Sequence, residues 1–321
     1  MFTNLETYQS RFWLKEDFLK KIGKSSSGFL LELFSRVDAL VDQDLVYYDH
    51  QMDMETCFEK YSFHEFKWHR TPNGDMEWVF MLNRQGYLVD LAVAFYVTKE
   101  EKYLKKWKEI VFDFILENEE EISHPEASWR VLDAGIRLMN WVKSLTYLPL
   151  SEFSEVERKQ IQEAMSLHVN YIRTHLQEKH LLSNWGVLAV SGVLSFVYFF
   201  DEQPELYLWA KETLLNQASL QFTKKGLHWE QSPLYHHQVV MCFAYLYQIA
   251  CYMGYEDQHL WKEVLIEPIR ASYYLSNSNH MLLALNDSDT VDFSWVHSYY
   301  HLLGFESECP EYTMGVLYSG R

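Results

Sequence analysis

From Met76 onward, apolar residues recur at helical spacing in long segments that are separated by very short polar breaks. The segments form successive pairs: Trp78–Val97 with Glu101–Leu116, Trp129–Tyr147 with Ser154–Leu176, Leu181–Phe200 with Pro204–Phe222, and Tyr235–Met253 with Gln258–Ser276. Breaks this short force consecutive helices to lie antiparallel, and successive hairpins close a core by stacking side by side. The sequence therefore predicts an all-α fold, an incomplete (α/α) toroid of antiparallel helical hairpins.

The first 75 residues are organised differently. Residues 1–60 carry amphipathic helical stripes, whereas residues 58–75 mix aromatic, histidine and basic residues without a clean period. We predict that residues 1–75 form a helical segment and an ordered loop that pack on a toroid of residues 76–321, within one continuous domain. After Asn277 the helical pattern decays, and no run of alternating strands follows.

Composition narrows the classes of function. A chain of 321 residues with 48% hydrophobic residues can bury a sizeable core. The net charge of −17 argues against nucleic-acid binding, which needs Lys and Arg to displace counterions from phosphates. A polyanionic ligand is disfavoured for the same reason, although a cleft can hold a local positive field. The four cysteines show no CxxC spacing, which favours reduced structural thiols.

The N-terminus lacks a basic segment followed by an uninterrupted apolar run, so no secretory signal is expected. The most apolar stretch, Val187–Phe200, is too short to span a bilayer and reads as a buried helix. With Met1 as the natural start, we expect a cytoplasmic protein without a membrane partner.

Four stretches, taken together, resemble the heparinase II/III-like polysaccharide lyases. They are WVFMLNRQ (78–85), WRVLDAGIRLMNW (129–141), HLLSNWGVLAVSG (180–192) and GLHWEQSPLYHHQVV (226–240). The resemblance implies β-elimination on uronic-acid glycans such as glycosaminoglycans, at a site between an α/α toroid and a C-terminal β-sandwich.

In that family the second domain supplies a further histidine and, in some members, a metal site. No segment here matches that domain. We therefore expect no cofactor in this chain, an acidic polysaccharide or oligosaccharide as partner, and a β-sandwich supplied by a longer chain. As a separate polypeptide the toroid is expected to be inactive or impaired.

β-Elimination removes the C5 proton of a uronic acid and expels the C4 oxygen. Hydrogen-bond donors on the neighbouring carboxylate stabilise the charge that develops there. One tyrosine can act first as base and then as acid if its phenol ionises below its usual pKa of about 10.

By resemblance, Asn184 is the residue that contacts the substrate carboxylate, and Trp185 beside it is a further substrate-binding candidate. The residues alone favour another interpretation. Ser183 and Asn184 precede the apolar helix from Val187, where N-capping residues belong.

Tyr235 matches the family's catalytic tyrosine, and His236 matches the histidine that follows it. Pro233 and Ser232 mark a helix start, so Tyr235 is expected in the first turn, where the positive helix end can stabilise a phenolate. The alternative is that Tyr235 merely packs. Adjacent helical residues point about 100° apart, so we expect His236 to support the site and His237 to be structural.

Glu230 and Gln231 match the family's EQS motif and are candidate substrate-binding residues. The Glu230 carboxylate is expected to orient a histidine or an arginine, with capping or solvation as the alternatives.

Further substrate-binding candidates come from the first two stretches. Trp129, Asp133, Arg137, Asn140 and Trp141 share one helix face. Arg137 among tryptophans is suited to a sugar carboxylate, and equally to a buried pair with Asp133. Asn83 and Arg84 are candidates to line the cleft, or else form a polar helix face.

The acidic loop of Asn286, Asp287 and Asp289 is weak evidence for a Ca²⁺ site, so we predict no metal site. Two other functions stay open: a carbohydrate-binding remnant without activity, and an α/α-toroid glycoside hydrolase, which needs two carboxylates flanking the bond.

Overall fold

The computed structural model describes residues 3–13, 27–46, 60–62, 68–118, 122, 124–200 and 203–305. The described helices are α1 Thr3–Trp13, α2 Ser27–Gln43, α3 Met76–Arg84, α4 Tyr87–Thr98, α5 Glu101–Glu117, α6 Pro125–Ser128, α7 Val131–Leu145, α8 Glu155–His175, α9 Glu178–Leu181, α10 Asn184–Phe200, α11 Pro204–Gln221, α12 Pro233–Met253, α13 Gln258–Ser272 and α14 Ser294–Leu302. A 3₁₀ turn spans Leu150–Glu152, and β1 Leu45–Val46 pairs antiparallel with β2 Tyr61–Ser62. The prediction of an all-α chain is thus confirmed for the described residues.

The structure corrects several predicted boundaries. The segment predicted as one helix over Trp78–Val97 is two helices, because Gln85 adopts a left-handed conformation and its N–H caps the Leu82 carbonyl. The buried Gln85 side chain is held by the indole of Trp141, at 2.6 Å. The segment predicted as one helix over Leu181–Phe200 is also interrupted: Leu181 is the last residue of the short helix α9, and α10 starts separately at Asn184.

Two other expectations need correction. Trp129 precedes α7 rather than lying inside it, and the helix α14 occupies a region where the helical pattern was expected to decay. The predicted ordered loop of residues 58–75 falls partly outside the described residues; the described part holds β2 and the turns from Trp68 to Asp75. The division of the chain at residue 75 stays a prediction.

The described chain forms two compact units. The first comprises residues 1–175 and 195–202. Within it α2 packs on α4 and α5, and α7 packs on α3, α4 and α8. Its core is rich in fully buried aromatic side chains: Trp78, Trp107, Phe114, Trp129 and Trp141. Each such ring buries 150–250 Å², so these residues dominate the hydrophobic stabilisation of this unit.

The second unit comprises residues 176–194 and 203–321. Its main helical hairpin is α12 with α13, joined by a turn at Gly254, whose φ of +75° suits the left-handed C-cap position. Phe243 of α12 and Trp261 of α13 pack with their ring centroids 6.0 Å apart. The residues described in the structure include no helix long and apolar enough to cross a membrane.

Candidate active site

Asn184 is the first residue of α10 and is 5% exposed. Its side-chain amide donates to Gln238 Oε1 of α12 at 3.3 Å. Its backbone N–H donates to the Glu230 carboxyl group. The predicted cap interpretation placed Asn184 before a helix from Val187, whereas the helix begins at Asn184 itself. Its amide therefore reaches a neighbouring helix, and Gln238 is a contact that the sequence did not reveal.

Tyr235 lies in the first turn of α12, as the Pro233 and Ser232 signals predicted. The Ser232 hydroxyl accepts from the Tyr235 backbone N–H at 3.3 Å, and Pro233 occupies the first helical position. The phenol hydroxyl donates a hydrogen bond to the Asp287 carboxylate. Asp287 is exposed, and Tyr235 is half-buried.

The loop from Asn286 to Asp289 is held against the start of α12 by further hydrogen bonds. The Ser232 hydroxyl donates to the Asp287 carbonyl at 2.9 Å, and the Leu234 N–H donates to the Ser288 hydroxyl at 3.1 Å. The Asn286 amide donates to the Gln231 carbonyl at 2.8 Å. Asp287 is thus positioned by contacts with the residues that immediately precede Tyr235. Among the described residues, no group of three or more His, Cys, Asp or Glu side chains is arranged to hold a metal ion.

Gln231 and Trp185 occupy more peripheral places in the second unit. Gln231 is exposed and has a left-handed φ of 58°, and its backbone rather than its side chain joins the acidic loop. Trp185 is half-buried and stacks on His180, with ring centroids 6.3 Å apart. Their roles as substrate-binding residues stay predictions.

His236 and His237 are both buried, and their rings lie nearly perpendicular. His236 Nδ1 accepts the His228 backbone N–H at 3.3 Å, so its Nε2 carries the proton and faces the Pro268 carbonyl at 3.1 Å. His237 packs on Phe293 and contacts the Tyr300 hydroxyl. His236 therefore links the backbone at His228 to α13, and His237 lies in the core. The supporting role of His236 stays a prediction.

Arg137 belongs to the first unit and is 0% exposed. Its guanidinium donates to His168 Nε2 and to the carbonyls of Asn83 and Ser128, each at 2.8 Å. The guanidinium carbon lies 4.3 Å from the Phe114 ring centroid. Burial lowers the pKa of Arg137 to about 9.

The alternative of a direct ion pair between Arg137 and Asp133 is not formed in the structure, although Asp133 acts electrostatically to raise the pKa of Arg137. Asp133 instead accepts from Arg84 Nε at 2.9 Å and from Arg130 Nε at 2.5 Å. Although Asp133 and Arg137 are four residues apart on α7, each contacts other groups: Asp133 meets two arginines, and Arg137 meets His168 of α8 and two backbone carbonyls. Arg137 acts here as a clamp on backbone carbonyls.

Asn83 and Trp129 are also fully buried. The Asn83 amide donates to the carbonyls of Trp68 and Val79, and the Trp129 indole donates to Asn118 Oδ1 at 2.8 Å. The expected stacking of the Trp129 and Trp141 indoles on a pyranose needs exposed rings, and both rings are 0% exposed. Of the residues singled out in the first unit, Arg84 and Asn140 are partly exposed, and the exposed fraction of the Arg84 side chain is 18%.

The buried histidines should make the folded protein sensitive to acid. Burial lowers the pKa of His236 to about 3 and that of His168 and His237 well below 6.5. Below about pH 6.5 the unfolded chain takes up protons on these histidines, whereas the folded chain does not. The free energy of unfolding is therefore highest above that pH and decreases as the pH falls. Each histidine contributes a slope of up to about 1.4 kcal/mol per pH unit.

Urea unfolding measured between pH 7 and pH 5 checks this expectation. His237→Leu, which removes one buried ionisable ring, should flatten the pH dependence, whereas His259→Gln at an exposed position should leave it unchanged. Equal slopes for the parent and His237→Leu would show that His237 is already protonated in the folded state.

Comparison with known proteins identifies the family. The sequence model of the family described as heparinase II/III N-terminus matches residues 32–308 of this chain. This chain belongs to the heparinase II/III N-terminal family. All four stretches that carry the resemblance fall within the matched range.

Individual members of the family share little sequence identity with this chain. The chain is 22% identical to the heparin-sulfate lyase of Pedobacter heparinus over 235 residues, which cover 72% of this chain and 34% of that protein. Its structure resembles a heparan sulfate lyase from Pedobacter heparinus with a TM-score of 0.63 and 18% identity, covering 92% of this chain and 46% of the other. A heparinase III structure gives a TM-score of 0.67 at 17% identity, with coverages of 90% and 46%.

The likeness to these heparinase structures confirms the fold prediction, an all-α toroid. The chain spans about a third of the curated relative and less than half of the solved chains. Whether this chain has the activity of a whole heparinase is therefore a matter of proposal. Sequence reasoning missed Gln238 and His228 within the family motifs, and it treated Asp287 only as a weak cation ligand.

Proposed function

We propose that this chain is the toroid domain of a lyase that cleaves uronic-acid glycans by β-elimination, and that it works with a β-sandwich supplied by a longer protein. Asn184 binds the substrate carboxylate, Tyr235 exchanges protons with the sugar, and His236 supports the loop beside them. The substrate class is an acidic polysaccharide of the heparan sulfate kind, since the relatives are named for heparin sulfate and heparan sulfate.

The observation that carries the proposal is the bond between Asn184 and α12. Gln238, which accepts from the Asn184 amide, stands three residues after Tyr235 and therefore on the same side of that helix. Both candidate residues also lie at helix N-termini, where the partial positive charge of the helix favours a bound carboxylate or a developing oxyanion.

The contact between Tyr235 and Asp287 suggests how a neutral phenol can act as the base. As the phenol oxygen takes the C5 proton, the phenol proton passes to the Asp287 carboxylate. The C4–O bond then breaks, the electron pair of the C5–H bond forms the C4=C5 double bond, and the leaving oxygen takes a proton from Tyr235. The proton held by Asp287 returns to the phenol, so that the site ends as it began.

Asp287→Asn removes the proton acceptor and keeps the shape of the side chain. We expect the rate of elimination to fall by about 10²-fold or more, with little change in the affinity for the glycan, because Asp287 acts on the proton rather than on the sugar. The measurement is kcat and KM over a range of pH. A matched control is Asp289→Asn, in the same exposed loop; equal effects of both variants would point to loop structure instead.

The direct test of the function is to incubate the protein with heparan sulfate, alginate and other uronate polymers and to follow near-ultraviolet absorbance. A lyase produces absorbance from the new C4=C5 double bond, whereas a hydrolase produces reducing ends alone. The assay is made with the chain alone and with a β-sandwich domain added. Binding without new absorbance in either case would leave the carbohydrate-binding remnant as the better account.

A further inference from the structure

Two buried acceptor atoms face each other beside Asn184. Nδ1 of His228 and Oε2 of Glu230 are 3.7 Å apart, and the two side chains are 0% and 19% exposed. Neither atom has a hydrogen-bond partner among the residues that the structure describes. A buried polar atom without a partner loses its hydration without compensation, so buried polar groups are almost always paired.

The neighbouring glutamine determines which ring nitrogen of His228 carries hydrogen. The Gln221 amide nitrogen donates to the carbonyls of Leu181 and Ser183, at 2.8 and 3.0 Å, so its oxygen points towards the ring. His228 Nε2 lies 2.9 Å from that oxygen and must therefore be the donor. In a neutral ring this leaves Nδ1 as a lone pair, directed at Glu230.

An ionised Glu230 would then place two lone pairs opposite each other. One proton on either atom removes this conflict, and an approach of about 0.5 Å from the present 3.7 Å then makes a hydrogen bond. Burial penalises the charged form of both groups: it lowers the pKa of His228 to about 4 and raises the pKa of Glu230. The lowered pKa of His228 and the raised pKa of Glu230 both favour the arrangement in which the Glu230 carboxyl group is protonated and donates to a neutral His228 ring.

Among the causes of the two pKa shifts, no charged group of the described residues opposes this. His236 contributes only Nδ1, as acceptor of the His228 N–H, and burial keeps its own ring neutral by lowering its pKa to about 3. Gln221 and the Asn184 backbone are neutral. Among the described contacts of the pair, Glu230 is therefore the group on which the proton resides.

We propose that Glu230 and His228 hold one proton between them at neutral pH, and that this uncharged pair positions Asn184 for a carboxylate-bearing sugar. Glu230 binds the backbone N–H of Asn184, the first residue of α10. A protonated Glu230 holds this N–H through a neutral oxygen, whereas an ionised Glu230 would repel a carboxylate brought to the Asn184 amide. The pair is a positioning device, and its role towards the sugar rests on the proposed function.

The proton itself is tested by NMR on the full chain labelled with ¹⁵N in histidine and ¹³C in the glutamate carboxyl groups. The His228 signals are assigned by their loss in His228→Gln. We expect a neutral ring with hydrogen on Nε2, a hydrogen-bonded Nδ1, and a Glu230 carboxyl group that titrates above the usual range for glutamate. A ring protonated on both nitrogens, or an ionised Glu230 beside a free Nδ1, would overturn the proposal.

Glu230→Gln reproduces the uncharged pair, since its amide can donate to Nδ1 and its oxygen can accept from Asn184. Binding of a heparan sulfate oligosaccharide is measured by calorimetry as a function of pH. The parent should bind about tenfold or more weakly once the pair loses its proton, and Glu230→Gln should not show this loss. Glu212→Gln, an exposed position on α11, serves as the control and should behave as the parent does.

These outcomes separate the two proposals. If the NMR shows the shared proton but the oligosaccharide does not bind at any pH, the proposed function fails and the proton pair stands. If the oligosaccharide binds and the parent and Glu230→Gln show the same pH dependence, the positioning role of the pair is wrong, whatever the lyase assay shows.

Discussion

Tyr235→Phe should reduce the rate of elimination by about 10²- to 10⁴-fold, the range that a positioned acid–base group contributes. The variant loses only the hydroxyl oxygen, which is the atom that exchanges protons with C5 and with the leaving oxygen in the proposed reaction. The first turn of α12 should be unaffected, because Ser232 caps it through the backbone N–H of residue 235. The fall should therefore appear in kcat, with KM little changed.

The control for this variant is Tyr274→Phe, which removes a hydroxyl from a tyrosine that is 47% exposed in the same unit. It should keep the activity of the parent. Glycan affinity, measured separately for Tyr235→Phe, should also match the parent, since the proposal assigns carboxylate binding to Asn184. Full elimination by Tyr235→Phe would remove Tyr235 from the reaction, and a loss of affinity equal to the loss of rate would make it a binding residue.

The sequence predicted the order of the helices well because hydrophobic periodicity is a property of each segment alone. The start of α12 shows this: Ser232 and Pro233 act through the local backbone, and the structure places both as expected. The break at Gln85 was missed for the opposite reason. Nothing local marks it, and the left-handed residue is held by the indole of Trp141, 56 residues away.

The candidate site likewise has features that the sequence predicted and features that it did not. Motif resemblance singled out Asn184 and Tyr235, but it could not show that Gln238 accepts from one or that Asp287 accepts from the other. Such partners depend on how distant segments pack. Arg137 illustrates the converse error, because an arginine among tryptophans suits a sugar site and a buried clamp equally, and only burial distinguishes them.

Gly186→Ala should destabilise the second unit by about 3 kcal/mol or more. A Cβ atom at this position would lie 2.0 Å from the His180 carbonyl oxygen and 2.2 Å from the Gln217 amide nitrogen. The carbonyl belongs to the backbone of α9 and cannot turn away, so the start of α10 must move as a whole. The hydrogen bond from Gln217 to the same carbonyl, at 3.3 Å, would be lost as well. Overpacking typically costs about 1–3 kcal/mol and occasionally more, and a clash with backbone that cannot move belongs at the upper end of that range.

The matched control is Gly86→Ala, where the added Cβ would meet only the Asn140 amide nitrogen at 3.8 Å and the backbone already has helical φ and ψ. That variant should unfold within about 1 kcal/mol of the parent, on the stabilising side. Denaturant unfolding of both variants gives the comparison. Because Asn184 stands two residues before Gly186, the alanine at 186 should also abolish glycan binding. A Gly186→Ala protein as stable as the parent would mean that α9 and α10 do not approach each other as closely as the structure places them.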